Sequence, residues 1–131
     1  MKKLSLVLLV LLVVSAMFAQ GTKESSDYKV YLITMDQMDQ HWVNVDKGAQ
    51  KAASELGGIE YKWLAPDVKD DAKQIECINN AVAGGADAIL LAANGPNAVT
   101  AALKEAAGAG VIIIYVDSAA NFPAVQTLAT D

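Results

Sequence analysis

The fold is decided by Val111-Ile112-Ile113-Ile114-Tyr115-Val116, the most apolar of the β-rich runs in this chain. Apolar residues occupy both faces of this predicted strand, and such strands occur in parallel sheets that helices cover on both sides. Residues 88–93 form a second continuous apolar run, and a helix-length segment separates the two runs. The pair therefore predicts an α/β fold built on a buried parallel sheet.

The same alternation of strand and helix extends through the rest of the chain. Within the predicted helix of residues 43–56, apolar residues recur at the spacing of one helical face, and Gly57-Gly58 ends the helix. The other predicted elements are strands 28–34, 59–64 and 125–129, a helix from Asp70-Asp71 to Gly84-Gly85, and helix 98–107. Connections between parallel strands are nearly always right-handed. The predicted fold is therefore a three-layer, doubly wound parallel sheet.

The N-terminus carries a predicted export signal. Lys2 and Lys3 precede the apolar run of residues 4–14, which is shorter than the roughly 18 to 20 residues that span a bilayer. We interpret residues 1–19 as a signal peptide that is cleaved after Ala19 or Ala16; an uncleaved membrane anchor is the disfavoured alternative. The polar residues 20–27 are predicted to tether the domain of residues 28–131. The protein is therefore expected in the periplasm or outside the cell.

Composition argues against several classes of function. The sequence has 10 basic residues, all lysines, against 15 acidic ones, so it lacks the cationic surface on which nucleic-acid binding depends. Cys77 is the only cysteine and His41 the only histidine, which argues against an intramolecular disulfide and the usual zinc sites. No G-x-S-x-G motif and no second histidine are present for a catalytic triad. We expect no metal, no cofactor and no enzymatic activity.

The residues that follow the strands are candidates for a binding site, because ligands of open α/β sheets bind at the carboxyl ends of the strands. The first such segment lacks the glycines of a phosphate-binding loop. It contains Asp39, Gln40, His41 and Trp42. An aromatic face beside amides and carboxylates suits the apolar faces and the hydroxyls of a sugar. The alternative is that Trp42 packs at the start of the helix and that His41 is a surface residue.

Two further polar residues stand at the mouth of the predicted crevice. Asp117 follows the most apolar strand and can accept two hydroxyl hydrogen bonds, and Asn94 follows the third strand. Either side chain can instead stabilise its own turn, since Asp and Asn are common turn residues. Residue types alone leave both alternatives open.

Three stretches of the chain carry a family resemblance. They are VNVDKGAQKAA (residues 43–53), GADAILL (85–91) and GVIIIYVD (110–117). Together with the signal peptide, the tether and the β-α order, they resemble the periplasmic sugar-binding proteins of the ribose-binding type over about residues 28–131. The resemblance implies a type I periplasmic binding fold. The chain looks like most of the N-terminal lobe of that fold, so we expect it to be a truncated or partial product.

The resemblance also implies a function and a set of ligand contacts. Members of the family are two-lobed clamps that capture a monosaccharide between their lobes and deliver it to an ABC permease, and in some cases to a chemoreceptor. The family's contacts fall on His41 and Trp42 for the aromatic pair that sandwiches the sugar, on Asp39 or Gln40 for the polar contact before it, on Asn94 after the third strand and on Asp117 after the fourth.

We therefore expect an exported solute-binding protein that captures a monosaccharide or sugar-like ligand for an ABC import system. The alternative is a binding protein for a small polyol or quorum signal that feeds a chemoreceptor or sensor. In ribose binders an arginine follows the aspartate that corresponds to Asp117, whereas this chain has Ser118 at that position. The loss of that bidentate donor argues against ribose itself.

Overall fold

The computed structural model describes residues 26–129. The predicted signal peptide and residues 20–25 of the predicted tether lie outside this range. In chain order the elements are β1 (Tyr28–Ile33), α1 (Gln40–Leu56), β2 (Ile59–Leu64), α2 (Asp71–Ala83), β3 (Ala88–Leu91), α3 (Thr100–Gly108), β4 (Ile112–Val116) and β5 (Gln126–Leu128). Within residues 26–129, none of the helices has the length and apolar content needed to cross a bilayer.

The strands form one sheet in the order β2-β1-β3-β4-β5, and every pair of neighbours is parallel. Ile33 at the end of β1 is in register with Leu64 of β2 and with Leu91 of β3. Because all strands point the same way, their carboxyl ends lie along one edge of the sheet. The predicted α/β fold with a doubly wound parallel sheet is confirmed.

Helices cover both faces of the sheet. Successive side chains of a strand point to opposite faces, and apolar side chains on both faces pack against helices. One face packs against α2 and α3 through a core that includes Ile33, Ile89 and Tyr115 of the strands and Ile78 and Leu103 of the helices. The opposite face carries α1, whose alanine side chains line a groove together with residues of β1, β2 and β3. The structure therefore has the three layers that the sequence predicts.

Helix α1 begins at Gln40, three residues before the predicted start. The cause is Asp39, whose carboxylate accepts a 2.9 Å hydrogen bond from the backbone N–H of His41 and thereby caps the helix. The remaining boundaries differ from prediction by two residues or fewer. The early start places His41 and Trp42 in the first turn of α1, close to the carboxyl edge of the sheet.

Candidate functional site

A cavity of about 280 Å³ lies at the carboxyl edge of the sheet, between the start of α1 and the ends of β4 and β5. Its lining residues are His41, Trp42, Val45, Val116, Asp117, Leu128 and Ala129. Across residues 26–129, no three His, Cys, Asp or Glu side chains come together to hold a metal ion. Apolar walls with a few oriented polar groups are typical of small-molecule sites.

His41 and Asp117 approach each other at this cavity from different elements. Nε2 of His41 lies 3.9 Å from Oδ1 of Asp117, and the two side chains are 56% and 44% exposed. This separation is longer than a hydrogen bond, so the imidazole and the carboxylate are not hydrogen-bonded to each other. A ligand hydroxyl can therefore donate to the carboxylate while another pairs with the imidazole.

The backbone at Asp117 adopts an uncommon conformation. Its φ is 68°, and among the described residues it is the only non-glycine residue with a positive φ. Its N–H donates a 2.7 Å hydrogen bond to the carbonyl oxygen of Leu128, which ties the end of β4 to the end of β5. Asp tolerates this conformation better than most residues, and such conformations cluster at binding and active sites. The turn after β4 thus holds Asp117 at the cavity.

Trp42 contributes a wall to the cavity and is itself buried, with 3% of its surface exposed. Its ring meets the His41 ring edge-on, with 4.5 Å between the centroids and 70° between the planes. Its Nε1 is the one buried side-chain N or O atom of the described residues without a hydrogen-bond partner. The indole therefore packs at the start of α1 and borders the cavity at the same time, and its contact with a ligand stays a prediction.

Asp39 and Gln40 make local contacts within α1 and do not line the cavity. The carboxylate of Asp39 caps the helix through the His41 N–H. The side-chain amide of Gln40 is exposed and donates a 3.0 Å hydrogen bond to Oδ1 of Asn44. The structure therefore gives Asp39 a helix-capping role, and the two residues' predicted ligand contact stays a prediction.

Asn94 lies on the loop after β3, outside the group that lines the cavity. Its side-chain amide donates to the carboxylate of Asp71, and its backbone N–H donates a 2.9 Å hydrogen bond to Oε1 of Gln74. Of the six predicted contacts, the structure thus brings three to one cavity, namely His41, Trp42 and Asp117.

Sequence analysis did not single out Gln74, which is fully buried at the same edge of the sheet. The sequence feature that could have identified Gln74 is its spacing within α2, because Gln74, Ile78 and Ala81 all lie on the buried side of this helix. An amide in place of an apolar residue on such a stripe indicates a buried polar contact, because a buried amide requires hydrogen-bond partners.

Comparison with known families and structures agrees with this architecture. Residues 30–131 match the family described as periplasmic binding protein domain. A sugar transporter protein from Clostridium phytofermentans is similar at 34% identity with a TM-score of 0.73, over 79% of this chain and 40% of that one. A carbohydrate transporter solute-binding protein from Agrobacterium radiobacter, solved in complex with D-arabinose, is 31% identical with a TM-score of 0.75, over 81% of this chain and 36% of that one.

A third similar structure has a ligand of another kind. LsrB from Clostridium saccharobutylicum, solved in complex with AI-2, is 32% identical with a TM-score of 0.68, over 70% of this chain. The chain spans only 28% of LsrB, as it spans 36% and 40% of the other two proteins. The three similarities thus concern one part of each longer protein.

Proposed function

Because this chain belongs to the periplasmic binding protein domain family, we propose that it is an exported solute-binding protein for a monosaccharide or a sugar-like ligand. The ligand is handed to an ABC permease in the membrane, and a chemoreceptor is the second proposed partner. The predicted signal peptide supports export to the periplasm or the cell exterior. The function is capture without chemical conversion.

The observation that carries this proposal is the meeting of His41, Trp42 and Asp117 at one cavity. A sugar presents apolar C–H faces and a ring of hydroxyls, which match apolar walls, a carboxylate and an imidazole. The cavity volume of about 280 Å³ is slightly smaller than the roughly 300 to 1,000 Å³ of small-molecule sites. This size is compatible with a ligand of one sugar ring.

A small polyol or quorum signal is the second candidate ligand class. It is favoured by the similarity to LsrB, whose structure contains AI-2. Such a ligand would use the same carboxylate, since its hydroxyls also donate hydrogen bonds. A binding protein of this kind would feed a chemoreceptor or sensor.

A thermal-shift screen of the whole chain tests the proposal and separates the two classes. The panel contains pentoses, hexoses, linear polyols and AI-2, each at millimolar concentration, and a non-binding salt at equal osmolarity serves as the control. A ligand that binds the native state raises the melting temperature in proportion to ln(1 + [L]/Kd). Stabilisation by a sugar supports the first class, and stabilisation by a linear polyol or AI-2 without stabilisation by any sugar supports the second. A panel without any stabilising compound contradicts both.

A further inference from the structure

The sheet has one place where the direction of chain progress reverses. The chain passes from β1 outward to β2 and then crosses to β3 on the other side of β1, so the strand order β2-β1-β3-β4-β5 reverses between β1 and β3. In doubly wound sheets the ligand crevice lies at this point, outside the carboxyl ends of the strands. The side chain of Gln74, from α2, occupies this position.

Gln74 forms hydrogen bonds to both strands and to the loop after β3. Its Nε2 donates to the carbonyl oxygens of Thr34, at 3.1 Å, and Ala92, at 2.9 Å, and its Oε1 accepts from the backbone N–H of Asn94 at 2.9 Å. Carbonyl oxygens only accept and a backbone N–H only donates, so these partners define the amide orientation. Both amide hydrogens are used. The side chain is 0% exposed, so water does not compete for these bonds.

The bonds lie where the β1–β3 ladder ends. The last registered pair is Ile33 with Leu91, and the N–H of Ala92 still donates to the carbonyl oxygen of Ile33 at 2.9 Å. One residue further, the carbonyl oxygens of Thr34 and Ala92 both accept from the Gln74 amide. The Gln74 amide therefore bridges the segments that follow β1 and β3 at the point where they leave the sheet, and it sets the distance between these two segments.

A series of hydrogen bonds continues from this bridge to the start of α1. The hydroxyl of Thr34 donates to the carbonyl oxygen of Asp36 at 2.9 Å, and Oδ1 of Asp36 accepts from the N–H groups of Met38 and Asp39 at 2.8 and 2.7 Å. Asp39 in turn caps α1 through His41. The loop that leads to His41 is thus connected to Gln74 by a series of hydrogen bonds.

We infer that Gln74 is a positioning residue of the binding site. It holds the loop after β1, which leads into the first turn of α1 with His41, and the loop after β3, with Asn94, at the separation that ligand capture requires. It acts through these loops, since it does not line the cavity. The effect of Gln74 on ligand affinity rests on the proposed function. The effect of Gln74 on the two loops does not depend on any ligand.

The test uses Gln74→Met, which keeps the side-chain length but removes all three hydrogen bonds, and Gln126→Met as the matched control on the exposed strand β5. Amide hydrogen exchange in the unliganded chain is the first measurement. We expect exchange at Asn94, Met38 and Asp39 to accelerate about tenfold or more. The N–H groups of Leu103 in α3 and Ile112 in β4, which donate to the carbonyl oxygens of Val99 and Asp87, report that the fold is intact, and Gln126→Met leaves all five exchange rates unchanged.

Titration calorimetry is the second measurement, and its probe is the pentose, hexose, linear polyol or AI-2 that most stabilises the wild-type chain in the thermal-shift screen. We expect Gln74→Met to weaken binding about tenfold or more and Gln126→Met to bind as wild type does.

Accelerated exchange at Asn94 alone, or wild-type affinity in Gln74→Met, would overturn the inference. If Gln74→Met does not fold, Gln74→Glu is the second variant. It keeps the shape but cannot donate to both carbonyl oxygens, since a carboxyl group has one donor when protonated and none when ionised. Wild-type exchange or wild-type affinity in Gln74→Glu overturns the inference too. A wild-type chain that binds no ligand contradicts the proposed function, whereas the exchange pattern still decides the role of Gln74.

Discussion

The hydroxyl of Tyr61 on β2 donates a 2.8 Å hydrogen bond to Oδ1 of Asp46 on α1. The other carboxylate oxygen accepts from the side-chain amide of Gln50, also at 2.8 Å. Asp46 is buried, and burial of a carboxylate is costly unless its oxygens are hydrogen-bonded. Asp46 lies one turn after Trp42 on α1. The hydrogen bond between Tyr61 and Asp46 therefore fixes the helix that carries the candidate site against β2, the edge strand of the sheet.

Tyr61→Phe is expected to lower the free energy of unfolding by about 1 to 3 kcal/mol, because one oxygen of the buried Asp46 loses its donor. Urea unfolding followed by circular dichroism measures this change. Tyr28→Phe is the matched control, since the Tyr28 side chain is exposed and its hydroxyl can be replaced with little effect. Equal losses in the two variants would show that the hydrogen bond to Asp46 contributes nothing.

The same pair predicts a loss of stability at alkaline pH. Burial, together with the Asp46 carboxylate, raises the pKa of Tyr61 well above its usual range. Above about pH 10 the unfolded chain therefore loses this proton while the folded chain keeps it, so stability is complete below that pH and falls as the pH rises. The stability difference between wild type and Tyr61→Phe should shrink from about pH 9 to about pH 11. A constant difference would contradict the assignment.

Asp117→Asn is expected to weaken ligand binding about tenfold or more, because the amide can accept fewer hydroxyl hydrogen bonds than the carboxylate. Asn also tolerates the positive φ at this position, so the melting temperature of the unliganded chain should stay near the wild-type value. Titration calorimetry measures the affinity. Glu105→Gln makes the same chemical change at an exposed position of α3 and should bind normally. Wild-type affinity in Asp117→Asn would remove this carboxylate from the site.

Substitutions of Trp42 separate its packing from its contact with a ligand. Trp42→Ala should lower the free energy of unfolding by about 3 to 5 kcal/mol, since the buried indole leaves a cavity. Trp42→Phe should lose much less, because Nε1 makes no hydrogen bond in the structure. If Trp42→Phe binds ligand as wild type does, the ring serves mainly as packing. A loss of more than about tenfold in that stable variant would identify the indole as a ligand contact.

Gly95→Ala should disturb the loop that carries Asn94. A Cβ at this position would lie 2.7 Å from Oδ2 of Asp71, and the same carboxylate accepts the hydrogen bond of the Asn94 amide. Asp71 must then rotate away, which costs about 1 kcal/mol. Gly108→Ala is the control, since a Cβ there meets no atom within 4 Å. Both changes lower the entropy of the unfolded chain, so thermal unfolding compares the two variants with each other. Equal melting temperatures in Gly95→Ala and Gly108→Ala would show that Asp71 moves without cost.

The start of α1 shows where interpretation of the sequence was incomplete. The apolar spacing begins with Val45, so it predicted a helix from residue 43. The true start depends on the Asp39 cap, which is a hydrogen bond of one side chain and leaves no periodic pattern. Asn94 shows a second limit. Its amide is held by Asp71 at the start of α2, 23 residues earlier, and a contact between a loop and a distant helix is not visible in the sequence of the loop alone.

The sequence by itself determined the alternation of strands and helices, the parallel sheet and the residue types that follow each strand, because apolar periodicity and turn residues act over short stretches of chain. Only the tertiary structure decided which of those residues meet. Gln74 contacts Thr34 and Ala92, which are 40 and 18 residues away, and His41 faces Asp117. These contacts depend on the pairing of β1 with β3 and of β3 with β4, which the packing of the whole sheet establishes.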